Sequence, residues 1–174
     1  MRTDDPIILI VDDSTNDVLL MRTVFERVGL RKPLQFASGG DDAIAYFQGE
    51  GRYVDRAKFP LPTVVLMDLN MPGINGFEML EWIRQHPAFK RLCVFVLSAS
   101  TRPEDIERAY DLGADSYLVK PRNLDGLMHM AECLVDWLKL RHFVPLKNID
   151  KVRELARSDG VVGPGEDDTL RSVG

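Results

Sequence analysis

The sequence predicts an α/β fold: a doubly wound, parallel sheet of five strands with helices on both faces. Three observations support this prediction. The strand candidates are continuous apolar runs rather than alternating ones, as expected of parallel strands that are buried on both faces. Five such runs alternate along the chain with five segments of helical periodicity. Polar residues follow most of the runs directly, at the strand ends where open α/β sheets build their sites.

The predicted elements follow one another without an internal repeat or a low-complexity segment. The strands are predicted at five ranges of the chain: residues 7–11, 34–37, 63–68, 92–97 and 116–119. The helices are predicted after each strand and end near residues 28, 48, 85, 112 and 140. Strands and helices in this alternation are joined by right-handed crossovers, which gives a parallel sheet.

Side chains that cap helices mark the start of three predicted helices. Ser14 and Asp17 form the S-x-x-D pattern of a capping box before the first helix. Thr101 and Glu104 form a second capping box before the fourth helix, and Asn123 caps the fifth. These residues predict where the chain turns from the sheet edge into each helix.

Two segments do not fit the alternation of strands and helices. Residues 49–62 have no period and contain two prolines, two glycines and charges of both signs, which predicts a long surface loop, either functional or a tolerated insertion. Residues 149–155 predict one more short helix, and the acidic, aperiodic chain from residue 159 predicts disorder. We therefore divide the chain into one domain at residues 1–146 and a flexible extension at residues 147–174.

Composition narrows the class of protein. The 174 residues are 45% hydrophobic, enough for the core of one domain, and the net charge of −5 argues against nucleic-acid binding. Cys93 and Cys133 are predicted to be buried and reduced. Because the chain shows neither the pattern of a signal peptide nor an apolar run of ~20 residues, a cytoplasmic protein without a membrane contact is predicted.

Polar residues at four predicted strand ends form one candidate site. Asp12 and Asp13 follow the first strand, Asp68 the third, Ser98 the fourth and Lys120 the fifth. In a parallel sheet these positions share the carboxyl edge, so the side chains can converge. Three carboxylates in one place repel one another, and Mg²⁺, which prefers oxygen ligands, relieves that repulsion. The pattern therefore predicts a magnesium site.

A phosphoryl acceptor is the chemistry that this combination favours. An aspartate can form an aspartyl phosphate, and the oxygens of the transferring group need cations and hydrogen-bond donors around them. Lys120 and the Ser98 hydroxyl supply such groups next to Asp68. Each residue alone is as easily a helix cap, a turn residue or a solvated charge, but the ordered combination favours the site.

Four segments resemble the receiver domain of two-component response regulators: IILIVDDS, VVLMDLNMPGINGFEML, VLSAS and DLGADSYLVKP. The resemblance covers residues 7–140. It implies the flavodoxin-like strand order 2-1-3-4-5 for the sheet. It also implies that Asp68 accepts a phosphoryl group from a sensor histidine kinase.

The resemblance assigns roles to the candidate site residues. The ligands of Mg²⁺ would be three carboxylates and one backbone carbonyl, from Asp12, Asp13, Asp68 and Asn70. The groups that contact the phosphoryl group would come from Ser98, Ala99 and Lys120. Tyr117 would be the switch aromatic that turns inward when Ser98 moves, and the peptide bond before Pro121 would be cis.

Within the family, three features resemble the stand-alone regulators that pair with bacterial phytochromes. They are the long loop at residues 49–62, the triplet Asp68-Leu69-Asn70, and YLVKP followed by an apolar last helix. The resemblance implies a bacteriophytochrome as a candidate kinase. No pattern of a DNA-binding domain follows residue 140, which favours output by protein contact.

The last predicted helix has more apolar residues than one face needs. They are Leu124, Leu127, Met128, Ala131, Leu134, Val135, Trp137, Leu138 and Leu140. The excess packs either under residues 143–146 or against a second copy of the chain, and both alternatives stay open. Because two-fold pairing is the commonest assembly, we predict a homodimer through the fourth helix, fifth strand and fifth helix.

Three other functions remain as alternatives. A Mg²⁺-dependent phosphatase with an aspartate nucleophile would need a second acid–base carboxylate, but Asp12 and Asp13 are already required for the metal. A flavodoxin-like cofactor binder would need a phosphate-binding loop where these two aspartates stand. A receiver that acts as a passive phosphate sink would have the same residues. We predict no turnover enzyme, only self-catalysed phosphoryl acceptance and slow autodephosphorylation.

Overall fold

The structure is a computed structural model that describes residues 6–30 and 34–140. Four expectations lie outside the described residues. These are the short helix at residues 149–155, the aperiodic tail, the packing of residues 143–146 and the division of the chain after residue 146. They stay predictions.

Five parallel strands form the sheet in the described part of the chain. They are β1 (Ile8–Val11), β2 (Gln35–Ala37), β3 (Val64–Met67), β4 (Cys93–Ser98) and β5 (Ser116–Val119). Their order is β2-β1-β3-β4-β5, and all four pairings are parallel. The predicted α/β fold class and strand order are confirmed, with strand ends displaced by one residue at most.

Five α-helices alternate with the strands within residues 6–30 and 34–140. They are α1 (Thr15–Arg27), α2 (Gly40–Gln48), α3 (Gly76–Gln85), α4 (Pro103–Asp111) and α5 (Leu124–Leu140). None of the helices in the described ranges is long and apolar enough to cross a membrane. The alternation of apolar runs with helical segments therefore predicted the element order correctly.

The core explains why the strand runs are apolar throughout. All four residues of β1 and all four of β3 are buried, as expected for central strands covered on both faces. On one face, the inner sides of α1 and α5 share a cluster with the strands, for example Phe25, Leu66 and Leu134. On α5, Trp137 packs its ring against Phe95 at 4.9 Å between centroids. Part of the apparent apolar excess of α5 is thus used inside the domain.

Two of the three predicted helix caps are confirmed. The Ser14 hydroxyl accepts a hydrogen bond from the Asp17 backbone N–H at 3.2 Å, at the start of α1. The Asn123 side chain accepts from the Gly126 N–H at 2.7 Å, at the start of α5. Both helices therefore begin where the capping residues predict.

The capping box predicted for α4 is wrong. The helix begins at Pro103, so Arg102 is the N-cap residue and Thr101 lies outside the helix. Proline is favoured at the first helical position, and this preference makes the helix start one residue later than an N-cap at Thr101 would. The Ser100 hydroxyl instead accepts a hydrogen bond from the Arg102 N–H at 3.3 Å.

The segment at residues 49–62 is more than a surface loop, and this corrects the prediction. Its Tyr53 is only 2% exposed and packs in a tilted arrangement against Tyr46 of α2, with 4.9 Å between ring centroids. The Tyr46 hydroxyl donates to the Pro60 carbonyl at 2.6 Å, and Arg56 donates to the Tyr46 carbonyl at 2.7 Å. Aromatic burial and these hydrogen bonds hold the segment against α2, although it has no sequence period.

The prediction for the cysteines is half right. Cys93 in β4 is partly buried, whereas Cys133 on α5 is exposed, so its predicted burial is wrong. Cys133 lies on the outer face of α5, where its sulfur is 3.7 Å from the His129 ring nitrogen. No disulfide joins the two cysteines.

Candidate functional site

The two central strands bring Asp12 and Asp68 together. Val11 at the end of β1 pairs with Met67 at the end of β3, so the next residue of each strand stands at the same level of the sheet edge. The Asp68 N–H donates to the Val11 carbonyl at 3.0 Å, and the Asp12 N–H to the Ala37 carbonyl at 3.1 Å. Both carboxylates are therefore placed by the backbone of the sheet.

Lys120 is the centre of the charged cluster. Its backbone N–H donates to the Ser98 carbonyl at 2.8 Å, which fixes the chain beyond β5. Its ammonium donates to Asp12 at 2.7 Å, Asp68 at 2.8 Å and Asp17 at 2.9 Å. Because an ammonium has three N–H donors, this arrangement uses all of them. The side chains of Lys120, Asp12 and Asp68 are only 15%, 5% and 13% exposed.

Burial and charge act in opposite directions on the pKa values of this cluster. Burial raises the pKa of the Asp12 carboxyl above its usual value, and the hydrogen bond from Lys120 offsets only part of this effect. Burial lowers the pKa of Lys120, but the hydrogen bonds to Asp12, Asp68 and Asp17 together outweigh it and raise that pKa above the usual range. The three carboxylates therefore favour the cationic form of Lys120.

The second oxygen of each buried carboxylate is held by backbone N–H groups. Oδ1 of Asp68 accepts from the next two residues along the chain, at 2.6 Å from Leu69 and 3.3 Å from Asn70. Oδ1 of Asp12 accepts from the Ser14 N–H at 2.9 Å. Each carboxylate is thus fixed by the backbone through one oxygen and by the ammonium through the other.

The turn after Asp68 depends on a close approach of two backbone segments. Gly76, the first residue of α3, donates its N–H to the Leu69 carbonyl at 2.9 Å. A Cβ atom at Gly76 would lie 2.3 Å from the Asp68 carbonyl oxygen and 2.7 Å from the Leu69 Cα. Before it, Gly73 has a φ of 70°, a left-handed conformation that favours glycine. The site thus requires glycine behind Asp68.

Ser98 and Tyr117 join the site through the turn between β4 and α4. Ser98 is fully buried, and its hydroxyl accepts from the Ser100 N–H at 3.3 Å. Ala99 stands between these two residues in the same turn. The Tyr117 hydroxyl donates to the Ser100 carbonyl at 3.0 Å, so the predicted switch aromatic is tied to the turn that follows Ser98. Its inward movement stays a prediction.

Residues 8–132 match the family of the response regulator receiver domain. The match covers most of the chain and includes every residue of the cluster around Lys120. The chain belongs to this receiver family. The predicted resemblance is confirmed, and with it the placement of the protein among two-component systems.

Relatives in known systems include regulators of light signalling. Response regulator Rcp1 of Synechocystis is 35% identical over 134 residues, which cover 76% of this chain and 89% of Rcp1. The Mn²⁺-bound structure of Rcp1 superposes with a TM-score of 0.71 at 34% identity, covering 80% of this chain and 99% of that one. Two further structures are similar: RPA3017, from red light signalling of R. palustris, and phosphorylated RcpA, a cyanobacterial phytochrome response regulator.

The similarity to these two structures extends over most of each chain. RPA3017 is 35% identical with a TM-score of 0.70, covering 74% of this chain and 90% of its own. RcpA is 30% identical with a TM-score of 0.70, covering 78% and 94%. The resemblance to phytochrome-associated regulators is thereby confirmed for this receiver domain.

The donor set of this receiver suits a hard divalent cation. Asp12 and Asp68 lie close enough to bind the same ammonium, that of Lys120, so their oxygens already surround one positive charge. Two carboxylates and a backbone carbonyl, with waters completing the shell, are typical of Mg²⁺. Asp13 and Asn70 are exposed, and the described residues contain no group of three or more His, Cys, Asp or Glu side chains spaced to hold a metal. The four-ligand site stays a prediction.

The prediction of a cis peptide bond before Pro121 is wrong. All peptide bonds of the described residues are trans, including the one that joins Lys120 to Pro121. The trans form is the more stable isomer even before proline. From this backbone the Lys120 ammonium already reaches its three carboxylates, so its position does not depend on a cis bond.

Asp17 is the site residue that sequence reasoning missed. The S-x-x-D pattern assigned it to helix capping, and its backbone N–H does bind Ser14, but its carboxylate contacts Lys120. Asp17 stands four residues after Asp13, in the first turn of a helix that begins at the carboxyl edge of the sheet. This spacing from the acidic pair is the signal that points to the site.

Proposed function

We propose that this receiver domain accepts a phosphoryl group on Asp68 from the phosphohistidine of a sensor histidine kinase in a Mg²⁺-dependent reaction. The observation that supports the proposal most directly is the position of the Asp68 carboxylate. It stands at the carboxyl edge of the sheet, beside Asp12 and 2.8 Å from the Lys120 ammonium. A phosphorylated relative, RcpA, and a Mn²⁺-bound relative, Rcp1, have the same fold.

The proposed transfer forms one bond and breaks one bond. A carboxylate oxygen of Asp68 attacks the phosphorus, an O–P bond forms, and the N–P bond of the phosphohistidine breaks. The electron pair of the broken bond returns to the imidazole ring, and the product on Asp68 is an acyl phosphate. Backbone N–H groups that bind Oδ1 orient the carboxylate for this attack.

The negative charge on the oxygens of the transferring phosphoryl group must be neutralised. Among the residues that the structure describes, Lys120 is the cation in contact with Asp68, and it contacts a phosphoryl oxygen when it gives up its bond to the Asp68 carboxylate. Mg²⁺, when held by Asp12, Asp68, Asp13 and the Asn70 carbonyl, would supply further positive charge at the same group. Ser98 and the Ala99 backbone are proposed as donors to another phosphoryl oxygen.

Stoichiometric acceptance fits the site better than enzymatic turnover. A phosphatase needs a second carboxyl group that is free to give and take protons. Asp12, the neighbour of Asp68, is instead bound by both the Lys120 ammonium and the Ser14 N–H. We therefore expect one phosphoryl group per chain, followed by slow self-hydrolysis.

The signalling systems of two similar proteins support a proposal for the kinase. RPA3017 belongs to red light signalling, and RcpA is a phytochrome response regulator. Both are similar to this chain over most of their length. The sensor kinase of this receiver is proposed to be a bacteriophytochrome.

Phosphorylation is tested by intact mass. Incubation of the protein with Mg²⁺ and a small acyl phosphate is expected to add about 80 Da, the mass of one phosphoryl group. Asp68→Asn is expected to lose the whole gain, because an amide oxygen is a much weaker nucleophile. Asp111→Asn, an exposed aspartate at the end of α4, is the matched control and should gain normally. No gain in the wild-type protein, or a gain that survives in Asp68→Asn, contradicts the proposal.

Output is proposed to use a contact between two copies through the surface of α4, β5 and α5. Three large apolar side chains on this surface are exposed: Tyr110 at 49%, Val119 at 45% and Leu124 at 43%. Val119 precedes Lys120 directly, and the Tyr110 hydroxyl accepts from the Tyr117 N–H at 3.2 Å. The surface thus adjoins both the charged cluster and the predicted switch residue.

Leu124→Asp is expected to weaken this association by at least tenfold, because a charge in a buried apolar contact costs more than about 1.4 kcal/mol. The new carboxylate stands at the first residue of α5, where the helix dipole favours it, so the fold is retained. Leu19→Asp, at an exposed leucine of α1, is the matched control. Sedimentation equilibrium with and without acyl phosphate measures the effect. A wild-type monomer at all concentrations, phosphorylated or not, speaks against the dimer and favours a passive phosphate sink.

A further inference from the structure

Asp17 gives Lys120 a third carboxylate that the proposed transfer does not use. Its Oδ2 lies 2.9 Å from the Lys120 ammonium. The Asp17 side chain is 43% exposed, whereas those of Asp12 and Asp68 are 5% and 13% exposed. Asp17 is therefore the partner of Lys120 that faces solvent.

Lys120 and a divalent cation would compete for the same oxygens. The ammonium binds Oδ2 of Asp12 and Oδ2 of Asp68, the two clustered carboxylates proposed to hold the cation. A cation of charge two attracts these oxygens more strongly than an ammonium and repels the ammonium itself. Asp17 is outside the proposed ligand set, so it stays available to Lys120.

A cavity lined by both Lys120 and Asp17 adjoins this ion pair. It has a volume of about 250 Å³ and lies between α1 and the start of α5. Asp17 and Lys120 both line it, together with apolar side chains that include Leu20 and Leu127. The Lys120 ammonium, which already lies 2.9 Å from Asp17 Oδ2, therefore has free space beside Asp17 when it leaves Asp12 and Asp68.

We propose that Asp17 is a positioning residue, which retains the Lys120 ammonium at the site when a divalent cation binds Asp12 and Asp68. The inference rests on the proposed function. Held by Asp17, Lys120 remains within reach of the phosphoryl group instead of turning into solvent. Without Asp17, the ammonium depends on the two cation ligands alone and competes with the cation for them.

The competition is tested by titrating the full chain with Mn²⁺ in a calorimeter. Asp17→Asn is expected to weaken Mn²⁺ binding about threefold to tenfold, from the lost charge and the stronger competition by Lys120. In a Lys120→Gln background the same substitution is expected to weaken binding less than about twofold, because no ammonium competes there. The double-mutant cycle separates a role through Lys120 from a simple charge effect.

A control variant tests whether any carboxylate in the first turn of a helix affects Mn²⁺ binding. Asp17 lies in the first turn of α1, where any carboxylate interacts favourably with the helix dipole. Asp125 lies in the first turn of α5 and is exposed, and it is not one of the three partners of Lys120. Asp125→Asn is expected to leave Mn²⁺ affinity nearly unchanged.

Phosphorylation supplies a second readout. At saturating Mg²⁺, Asp17→Asn is expected to slow the gain of mass from an acyl phosphate about tenfold, and Asp17→Glu, which keeps the carboxylate, is expected to restore most of the rate. Equal Mn²⁺ affinity and equal rates in Asp17→Asn and wild type would overturn the inference. Equal weakening with and without Lys120 would overturn it too, since Asp17 would then act as a bulk charge.

The two proposals can fail separately. If the wild-type protein gains no mass, the proposed function fails, while the Mn²⁺ cycle still decides whether Asp17 acts through Lys120. If the wild-type protein gains mass and Asp17→Asn behaves identically in both assays, the inference alone fails.

Discussion

Lys120→Met is expected to lower the free energy of unfolding by about 3 kcal/mol when divalent cations are removed. The substitution leaves Asp12 and Asp68 buried without their counter-charge, and breaking a buried ion pair from one side costs ~3–5 kcal/mol. We take the lower end because the Asp68 side chain is 13% exposed, and Asp17 is exposed enough to be hydrated. The loss is expected even though methionine fills a similar volume.

Added Mg²⁺ is expected to stabilise Lys120→Met more than it stabilises the wild-type protein. With the ammonium gone, nothing competes for the carboxylate oxygens, and binding to the folded state alone raises its stability. Urea unfolding with a chelator and at several Mg²⁺ concentrations measures both effects. Lys139→Met is the matched control, since its partner Asp136 is 73% exposed and such pairs contribute little. A Lys120→Met protein as stable as wild type in chelator would show that the cluster does not need the ammonium.

Gly76→Ala is expected to destabilise the protein by about 2–3 kcal/mol and to slow phosphoryl uptake strongly. The added Cβ would lie 2.3 Å from the Asp68 carbonyl oxygen, and the atoms it meets belong to the backbone, which cannot rotate away. Relief requires α3 and the turn after Asp68 to separate. That movement displaces the N–H groups of Leu69 and Asn70, which orient the Asp68 carboxylate.

Gly29→Ala is the control that separates the steric clash at Gly76 from the cost of placing alanine in a left-handed backbone conformation. Gly29 has a φ of 81° and no atom within 4 Å of an added Cβ, so alanine there costs only the left-handed conformation, about 1 kcal/mol. Urea unfolding and the rate of mass gain from an acyl phosphate are compared for both variants. The expected result is a mild loss of stability with normal phosphorylation in Gly29→Ala. A Gly76→Ala protein that is phosphorylated at the wild-type rate would show that the close approach does not position Asp68.

The central part of the site was predictable because it depends on strands and their ends. The apolar runs of β1 and β3 have no exposed face, which identified them as buried strands, and the resemblance to receiver domains placed them side by side. Parallel strands end at one edge, so Asp12 and Asp68 could converge once the sheet was predicted, and the pairing of β1 with β3 brings them together. Lys120, which follows β5, belongs to the same edge for the same reason. The family match then confirmed what these positions indicated.

Predictions from short sequence patterns failed in two situations. In one, a second local preference opposed the pattern, and in the other, tertiary packing determined which residues are buried. Proline at the first position of α4 overrode the capping box at Thr101. The aperiodic segment at residues 49–62 contributes Tyr53 to the core because its ring packs against Tyr46, a contact that no period reveals. Cys133 is exposed because the face of a helical residue depends on how the whole helix docks.

The sequence by itself determined the order of elements, the parallel sheet and the set of polar residues at its carboxyl edge, since these follow from local patterns and the chirality of the chain. Tertiary structure alone decided how those residues share their charges. It joined Lys120 to Asp17, 103 residues away, and left Asp13 exposed. Contacts between such distant side chains depend on where α1 and β5 stand in the folded domain, and no short-range pattern encodes that distance.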